Sequence, residues 1–192
     1  LDSLKHYKSF FRAGFMAMEP ATGHIKAYVG GPNYHYFQYD MVSTGKRQIG
    51  STIKPILYTL AMQEGLEPCQ KVLNVQQTFV LPDGTTWTPR NSTNKREGEM
   101  VTLKWGLANS VNNISGWVLK QFTPEAVVQM AHRMGINSFI DPVPAIFLGS
   151  SEVSVKEMVS ACSVYANKGV YNSPIMVTKI EDKYGNLLAT FQ

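Results

Sequence analysis

The chain has 192 residues, 44% apolar and 17% charged, with a formal charge of +4 and a pI of about 9.0. That length and apolar fraction fit one globular domain with a substantial core and exclude a disordered chain. No apolar run approaches the roughly 20 residues that span a bilayer, no N-terminal stretch has the order of a signal peptide, and no Lys/Arg block of the kind that grips nucleic acid is present.

Residues 1–96 hold 11 basic and 6 acidic groups and residues 97–192 hold 7 and 8, so the basic excess is mild and scattered. Cys69 and Cys162 form neither a metal spacing nor a disulfide framework. Cys162 lies in an apolar segment and is expected to be a small buried residue. His6, His24, His35 and His132 lack the i, i+4 pairing of zinc sites. Neither a metal nor a cofactor is expected.

In chain order, Arg12 to Met18 reads as a strand with Ala13, Phe15 and Ala17 on one face. Pro20-Ala21-Thr22-Gly23 is turn chemistry. His24 to Gly30 alternates again through Ile25, Ala27 and Val29, which predicts a hairpin. Tyr34, Tyr36, Phe37 and Tyr39 then crowd a polar loop; they either line a ligand surface or pack the loop onto the core, the commoner outcome for such clusters. Ile53, Ile56, Leu57, Leu60 and Ala61 recur at helical spacing. Ser51 or Thr52 is placed to cap that helix, Pro55 falls in its first turn and Gly65 closes it. Residues 72–104 read as mainly extended around a Pro82-Asp83-Gly84 turn, with a polar loop from Asn91 to Glu99. Helices are predicted at Thr102–Ala108, Ser115–Gln121, Pro124–Met134 and Val153–Asn167, the last with Val155, Met158, Val159, Cys162 and Tyr165 on a common side. Met176–Ile180 and Leu187–Phe191 predict a closing hairpin around Asp182–Asn186. No repeat and no second domain stands out.

A nucleophilic serine needs a base within hydrogen-bond reach, and Ser and Lys at i and i+3 on a helix share a face. With 14 serines and 13 lysines, about one S-x-x-K match arises by chance. Three occur, at Ser43–Lys46, Ser51–Lys54 and Ser92–Lys95. The first sits in a glycine-containing loop and the third among solvated charges. Ser51-Thr52-Ile53-Lys54 opens an apolar helix, where unpaired N–H groups and the helix dipole favour developing negative charge. On the residues alone, Ser51 as a plain cap with a solvated Lys54 stays the commoner outcome.

Lys46-Arg47-Gln48-Ile49-Gly50-Ser51-Thr52-Ile53-Lys54-Pro55 resembles the nucleophile segment of class A penicillin-binding proteins, whose S-x-x-K motif is a known signature. Phe15 to Gly31 resembles that family's first hairpin. Thr88-Pro89-Arg90-Asn91, Val101-Thr102-Leu103 and Leu107-Ala108-Asn109-Ser110-Val111-Asn112 resemble the approach to its S-x-N motif. Leu148 to Ser154 and Tyr165 to Val170 resemble its next helical stretch. The likeness runs through nearly the whole chain, in the family's order.

The resemblance implies an α+β fold, an antiparallel sheet flanked by helices. It also implies a D,D-transpeptidase that cross-links peptidoglycan stem peptides and binds penicillin covalently. Ser51 is then the nucleophile that attacks the carbonyl between two terminal D-alanines, with its own N–H as half of the oxyanion hole. Lys54 takes the serine proton. A free lysine, with pKa about 10.4, is almost wholly protonated at neutral pH, so a working Lys54 must be enclosed. Ser110 relays the proton to the leaving amine, and Asn112 holds the substrate amide and fixes Lys54. A second S-x-N, Ser92–Asn94, is set aside because Ser110 lies between two apolar helical segments. The implied partners are a D-Ala-D-Ala donor, an amine acceptor and β-lactams. A glycosyltransferase domain and a membrane anchor are expected upstream, which places the protein at the outer face of the bacterial cytoplasmic membrane or in the periplasm.

The family's third motif, K-T-G or K-S-G, has no match. The nearest string, Lys183-Tyr184-Gly185, reads as a hairpin turn. Residues 1–192 are therefore expected to be the N-terminal part of the transpeptidase domain, without its third-motif strand, and to be inactive as a transpeptidase on their own. On that expectation the first hairpin exposes an edge, the Ile53–Ala61 helix loses its cover, and the chain is unstable, swapped, self-associated or completed by a second polypeptide. Two other functions fit the same fold: a non-catalytic scaffold or stem-peptide binder, and a D,D-carboxypeptidase or β-lactamase.

Overall fold

The helical periodicity after Ile53 resolves, in a computed structural model, into α1 (Lys54–Gln63) with Pro55 in its first turn. The structure describes Ser3 and residues 9–91 and 95–191; His6 lies outside them. The described residues divide into two compact units, one made of residues 47–133 with 138–152, the other of residues 1–46, 134–137 and 153–192.

The 47–133 unit is a helical cluster built on α1. It contains α2 (Leu103–Ala108), α3 (Asn112–Leu119) and α4 (Pro124–Arg133). α1 packs against all three and against the turn at Pro144–Leu148. Ile53, Ile56, Leu57, Leu60, Leu103, Ile114, Val118, Val127, Ile146 and Phe147 are its buried core, each side chain contributing roughly 1.5–3 kcal/mol. The expected bare face of the α1 helix is thus covered from within the chain, because the helices after residue 102 fold back over it. Gly65, with φ of 94°, ends α1 while Leu66 N–H reaches the Ala61 carbonyl at 3.0 Å. Two short antiparallel ladders flank the cluster, Lys71–Leu73 with Met100–Thr102 and Phe79–Val80 with Thr86–Trp87; Pro82-Asp83-Gly84 turns between the latter two. Thr102 caps α2 by accepting the Trp105 N–H at 3.1 Å.

α2 and α3 meet at Gly106, where a Cβ would lie 2.5 Å from Ile114 Cγ2. Gly106→Ala is therefore expected to destabilise the chain by about 1–3 kcal/mol through overpacking. A urea denaturation midpoint unchanged in that variant would show that the contact yields freely.

In the other unit Phe15–Met18 and Ile25–Val29 pair antiparallel, with Phe15 opposite Val29 and Met16 opposite Tyr28. Met16 points inward and is buried, whereas Phe15 and Val29 are exposed, so the inner face of the second strand carries Tyr28 rather than Val29. The start of that strand is not a free edge: Ile25 N–H donates to Ile175 O at 2.9 Å and Ile175 N–H to Gly23 O at 2.8 Å. α5 (Val155–Ala166) packs on the first strand and begins with a full capping box, Ser154 with Glu157. Its buried side is Ser160, Ala161, Ser163 and Val164. Cys162 is exposed, contrary to expectation, because it lies off the side of the helix that is buried. Lys179–Glu181 and Leu187–Thr190 form the closing hairpin.

The aromatic loop also departs from expectation. Tyr34 is 77% and Tyr39 50% exposed; rather than packing onto the core, they border a cavity of about 400 Å³.

Among the described residues no helix is long and apolar enough to cross a membrane, and no cluster of three or more His, Cys, Asp or Glu residues is placed to hold a metal.

Candidate active site

Gly50-Ser51-Thr52-Ile53 forms one 3-10 turn that runs straight into α1. Ile49 is already helical, with φ of −77° and ψ of −18°. A side-chain cap needs an extended residue ahead of the helix, so neither Ser51 nor Thr52 acts as one. The Thr52 hydroxyl instead donates to the Ile49 carbonyl at 2.6 Å. A 3-10 turn has three residues per turn, which stacks position 51 over position 54. The Lys54 N–H accordingly donates to the Ser51 carbonyl. The Ser51 side chain is exposed, and its hydroxyl has no hydrogen-bond partner among the described residues.

The turn is fastened from one side by residues 149–151. Gly50 N–H donates to Gly149 O at 3.1 Å, Ile49 N–H to Ser151 O at 3.2 Å, and Gln48 Nε2 to Ser150 O at 3.4 Å. Gly149 has φ of 73°, and a Cβ on it would lie 1.9 Å from the Gly50 carbonyl oxygen. Only a glycine lets the two backbones approach this closely beneath Ser51.

Lys54 is 1% exposed. Its Nζ donates to Ser110 O at 2.7 Å, Ser110 Oγ at 2.9 Å and Asn112 Oδ1 at 2.7 Å. All three acceptors are neutral, and no carboxylate pairs with it among the described residues. Burial therefore dominates and lowers its pKa to about 8. An amine with that pKa is neutral in about one molecule in ten at pH 7, against a few in ten thousand for a free lysine.

Ser110 and Asn112 lie in the turn between α2 and α3. Ser110 N–H bonds the Leu107 carbonyl at 2.9 Å and Val111 N–H bonds the Gly106 carbonyl at 2.9 Å, a Schellman ending to α2. Its left-handed position is normally glycine, but here Ser110 holds φ of 53°. Asn112, at the start of α3 three residues earlier than the periodicity predicts, also donates Nδ2 to Arg90 O at 2.8 Å. A chain of buried amides supports this turn: Asn113 N–H donates to Asn91 Oδ1 at 3.0 Å and Asn113 Nδ2 to Asn74 Oδ1 at 3.0 Å, while Asn74 Nδ2 reaches Arg96 O at 2.9 Å. Asn74 and Asn113 were invisible to motif and periodicity; the one sequence signal was Asn113 following the S-x-N triplet.

The structure thus brings Lys54, Ser110 and Asn112 into direct contact, with Ser51 one turn before Lys54. The competing pairs fare otherwise. Ser43 donates its hydroxyl to Asp40 at 2.5 Å. Ser92, Thr93 and Asn94 lie outside the described residues. Lys183-Tyr184-Gly185 sits in a hairpin turn where Asp182 Oδ1 accepts the Tyr184 and Asn186 N–H groups at 2.8 and 2.9 Å.

Residues 13–191 match the family described as penicillin binding protein transpeptidase domain. The chain is 32% identical over 174 residues to penicillin-binding protein 1A of Aquifex aeolicus, covering 90% of this chain and 24% of that protein. It is 32% identical over 181 residues to penicillin-binding protein 2D of Bacillus subtilis, covering 94% and 26%. Among solved structures, penicillin-binding protein 1A of Haemophilus influenzae superposes with a TM-score of 0.86 at 25% identity, over 94% of this chain and 27% of that one. The chain spans about a quarter of the length of these relatives. With an α+β architecture of helices and small antiparallel sheets to match, it belongs to the penicillin-binding protein transpeptidase family.

Proposed function

We propose that this chain carries the acylating residues of a peptidoglycan D,D-transpeptidase. The observation that supports this most is the buried, carboxylate-free Lys54 amine, held by Ser110 and Asn112 one turn from an exposed Ser51 hydroxyl. A desolvated amine with pKa near 8 is a general base suited to neutral pH. Ser51 Oγ attacks the carbonyl carbon between the two terminal D-alanines of a stem peptide, and its proton passes to Lys54. The tetrahedral oxyanion is met by the Ser51 N–H. The C–N bond then breaks, and Ser110, bonded to Lys54 Nζ, hands the proton on to the departing D-alanine amine. A second amine attacks the resulting ester, its proton returns through the same groups to Ser51, and a new amide cross-links two peptides.

On this reading β-lactams acylate Ser51, as the names of the relatives suggest. The chain then acts with a glycosyltransferase domain at the outer face of a bacterial cytoplasmic membrane. Incubation with a fluorescent penicillin is expected to give a covalent band that Ser51→Ala abolishes. A band that survives Ser51→Ala removes Ser51 as nucleophile. A folded protein that takes no label at all points to the scaffold reading instead.

A further inference from the structure

The cavity beside the aromatic loop belongs to neither the nucleophile turn nor the Lys54 cluster. It lies wholly in the unit that carries the first hairpin, at the end of the strand Ile25–Val29. Its walls are rings of Tyr28, Tyr34, Phe37 and Tyr39, and the Gly30-Gly31 backbone forms part of its lining. Pockets of this size, mainly aromatic with a few polar groups, are the usual shape of a small-ligand site.

The loop is fixed before any ligand arrives. Met41 N–H closes its base on Gly30 O at 2.7 Å, and Phe37 N–H bonds Asn33 O at 2.9 Å. Asn33 Oδ1 accepts the His35 N–H at 2.9 Å. The Arg12 guanidinium covers one face of Phe37 at 4.9 Å. Preorganisation of this kind lowers the entropic penalty of binding.

The charge pattern selects the ligand class. Among the described residues no lysine or arginine lines the cavity, and the Arg12 guanidinium is engaged on the Phe37 ring. The one carboxylate that lines it among those residues, Asp40, is already satisfied. Oδ1 accepts the Val42 N–H at 2.8 Å and the Ser43 N–H at 3.3 Å, while Oδ2 accepts the Ser43 hydroxyl at 2.5 Å and the Tyr28 hydroxyl. With both oxygens taken, Asp40 has no lone pair left to receive an ammonium group. What remains for a ligand is exposed ring faces, together with the Tyr34 hydroxyl and the Gln38 amide, which have no hydrogen-bond partner among the described residues. Apolar faces edged by hydrogen-bonding groups describe a pyranose ring, whose C–H face stacks on an aromatic ring while its hydroxyls meet the rim.

We propose that this cavity is a binding site for a neutral saccharide, stacked on Tyr34 and Tyr39 and hydrogen-bonded by Tyr34 and Gln38. The proposal does not depend on the chemistry assigned to Ser51. It is tested by titrating the isotopically labelled protein with tri-N-acetylchitotriose, whose acetamido groups offer Gln38 an amide partner, and with choline as an organic cation. The expected result is saturable shifts of the Gly30, Gly31, Tyr34 and Tyr39 backbone amides with chitotriose and none with choline. Tyr34→Ala, at a position too exposed to disturb folding, is expected to weaken that binding by about fivefold or more. Penicillin labelling of Ser51 stays unchanged in Tyr34→Ala, so the two sites report separately. Absence of saturable shifts, equal binding by Tyr34→Ala, or a response to choline instead would each overturn the proposal.

Discussion

Lys54→Met is expected to lower the rate of Ser51 acylation by penicillin by about 10³-fold, within the range general-base catalysis contributes, and to erase a specific pH dependence of stability. The amine is buried against neutral oxygens, and its pKa is lowered to about 8 from the ordinary 10.5. Below pH 8 it is protonated in both folded and unfolded chains, so the folded state bears the full desolvation penalty. Between pH 8 and 10.5 the folded chain releases the proton first. The unfolded state then binds more protons, and stability rises with pH. From pH 7 to 9.5 the gain is on the order of 2 kcal/mol. Methionine fills much the same space without the charge. It leaves three acceptors unpaired at a cost of up to about 1–3 kcal/mol each, but it makes the variant insensitive to pH through this group. Urea denaturation of both proteins at the two pH values measures the difference. The wild-type acylation rate is expected to climb with a midpoint near pH 8. A wild-type stability no more pH-dependent than that of Lys54→Met would mean that the amine is solvated, and its role as base would fall with it.

Much of this arrangement was legible in the sequence, but unevenly. α1 announced itself because its inward side chains are large, aliphatic and regularly spaced. The buried side of α5 did not, because it is made mostly of small residues, Ser160, Ala161 and Ser163, with Val164. Apolar spacing predicts Val155, Met158, Val159, Cys162 and Tyr165 instead. The turn Gly50–Ile53 looks in sequence like a capped helix start, since Ser and Thr at that point ordinarily mean a cap. Tethering of Ile49 and of Gly50, whose φ is 55°, to residues a hundred positions away sets a 3-10 turn ahead of α1, and no local signal carries that. Ser51, Lys54, Ser110 and Asn112 are candidates through motif order. The enclosure of Lys54, by contrast, depends on residues 54 and 110 meeting in space, which only the fold supplies. The two-unit division left no mark on the sequence because one unit is assembled from three separated stretches. Crowded rings such as Tyr34–Tyr39 ordinarily pack onto a core; here loop hydrogen bonds around Asn33 and Asp40, not ring burial, hold them in place.

Ser110→Gly is expected to separate stability from activity. Ser110 occupies the left-handed position that ends α2, where a side chain costs roughly 1–2 kcal/mol relative to glycine. Glycine offsets that relief with about 0.5–1 kcal/mol of extra chain entropy in the unfolded state. That leaves a backbone gain of about 1 kcal/mol or less, opposed by loss of the bond from Lys54 Nζ to the Ser110 hydroxyl, about 1.5–3 kcal/mol for a hydrogen bond to a charged group. Ser110→Ala keeps the backbone strain and so is expected to be the less stable of the two variants. Both lack the hydroxyl that Lys54 Nζ contacts at 2.9 Å and that is proposed to deliver the proton to the leaving amine. Both are expected to lose acylation by about 10²–10⁴-fold. The paired measurement, thermal or urea unfolding beside penicillin labelling rate, distinguishes two reasons for a serine at a glycine position. If the hydroxyl is there for chemistry, the more stable variant is inactive. If Ser110→Gly acylates as fast as the parent, the strain serves no reaction and the proton relay must run through another group.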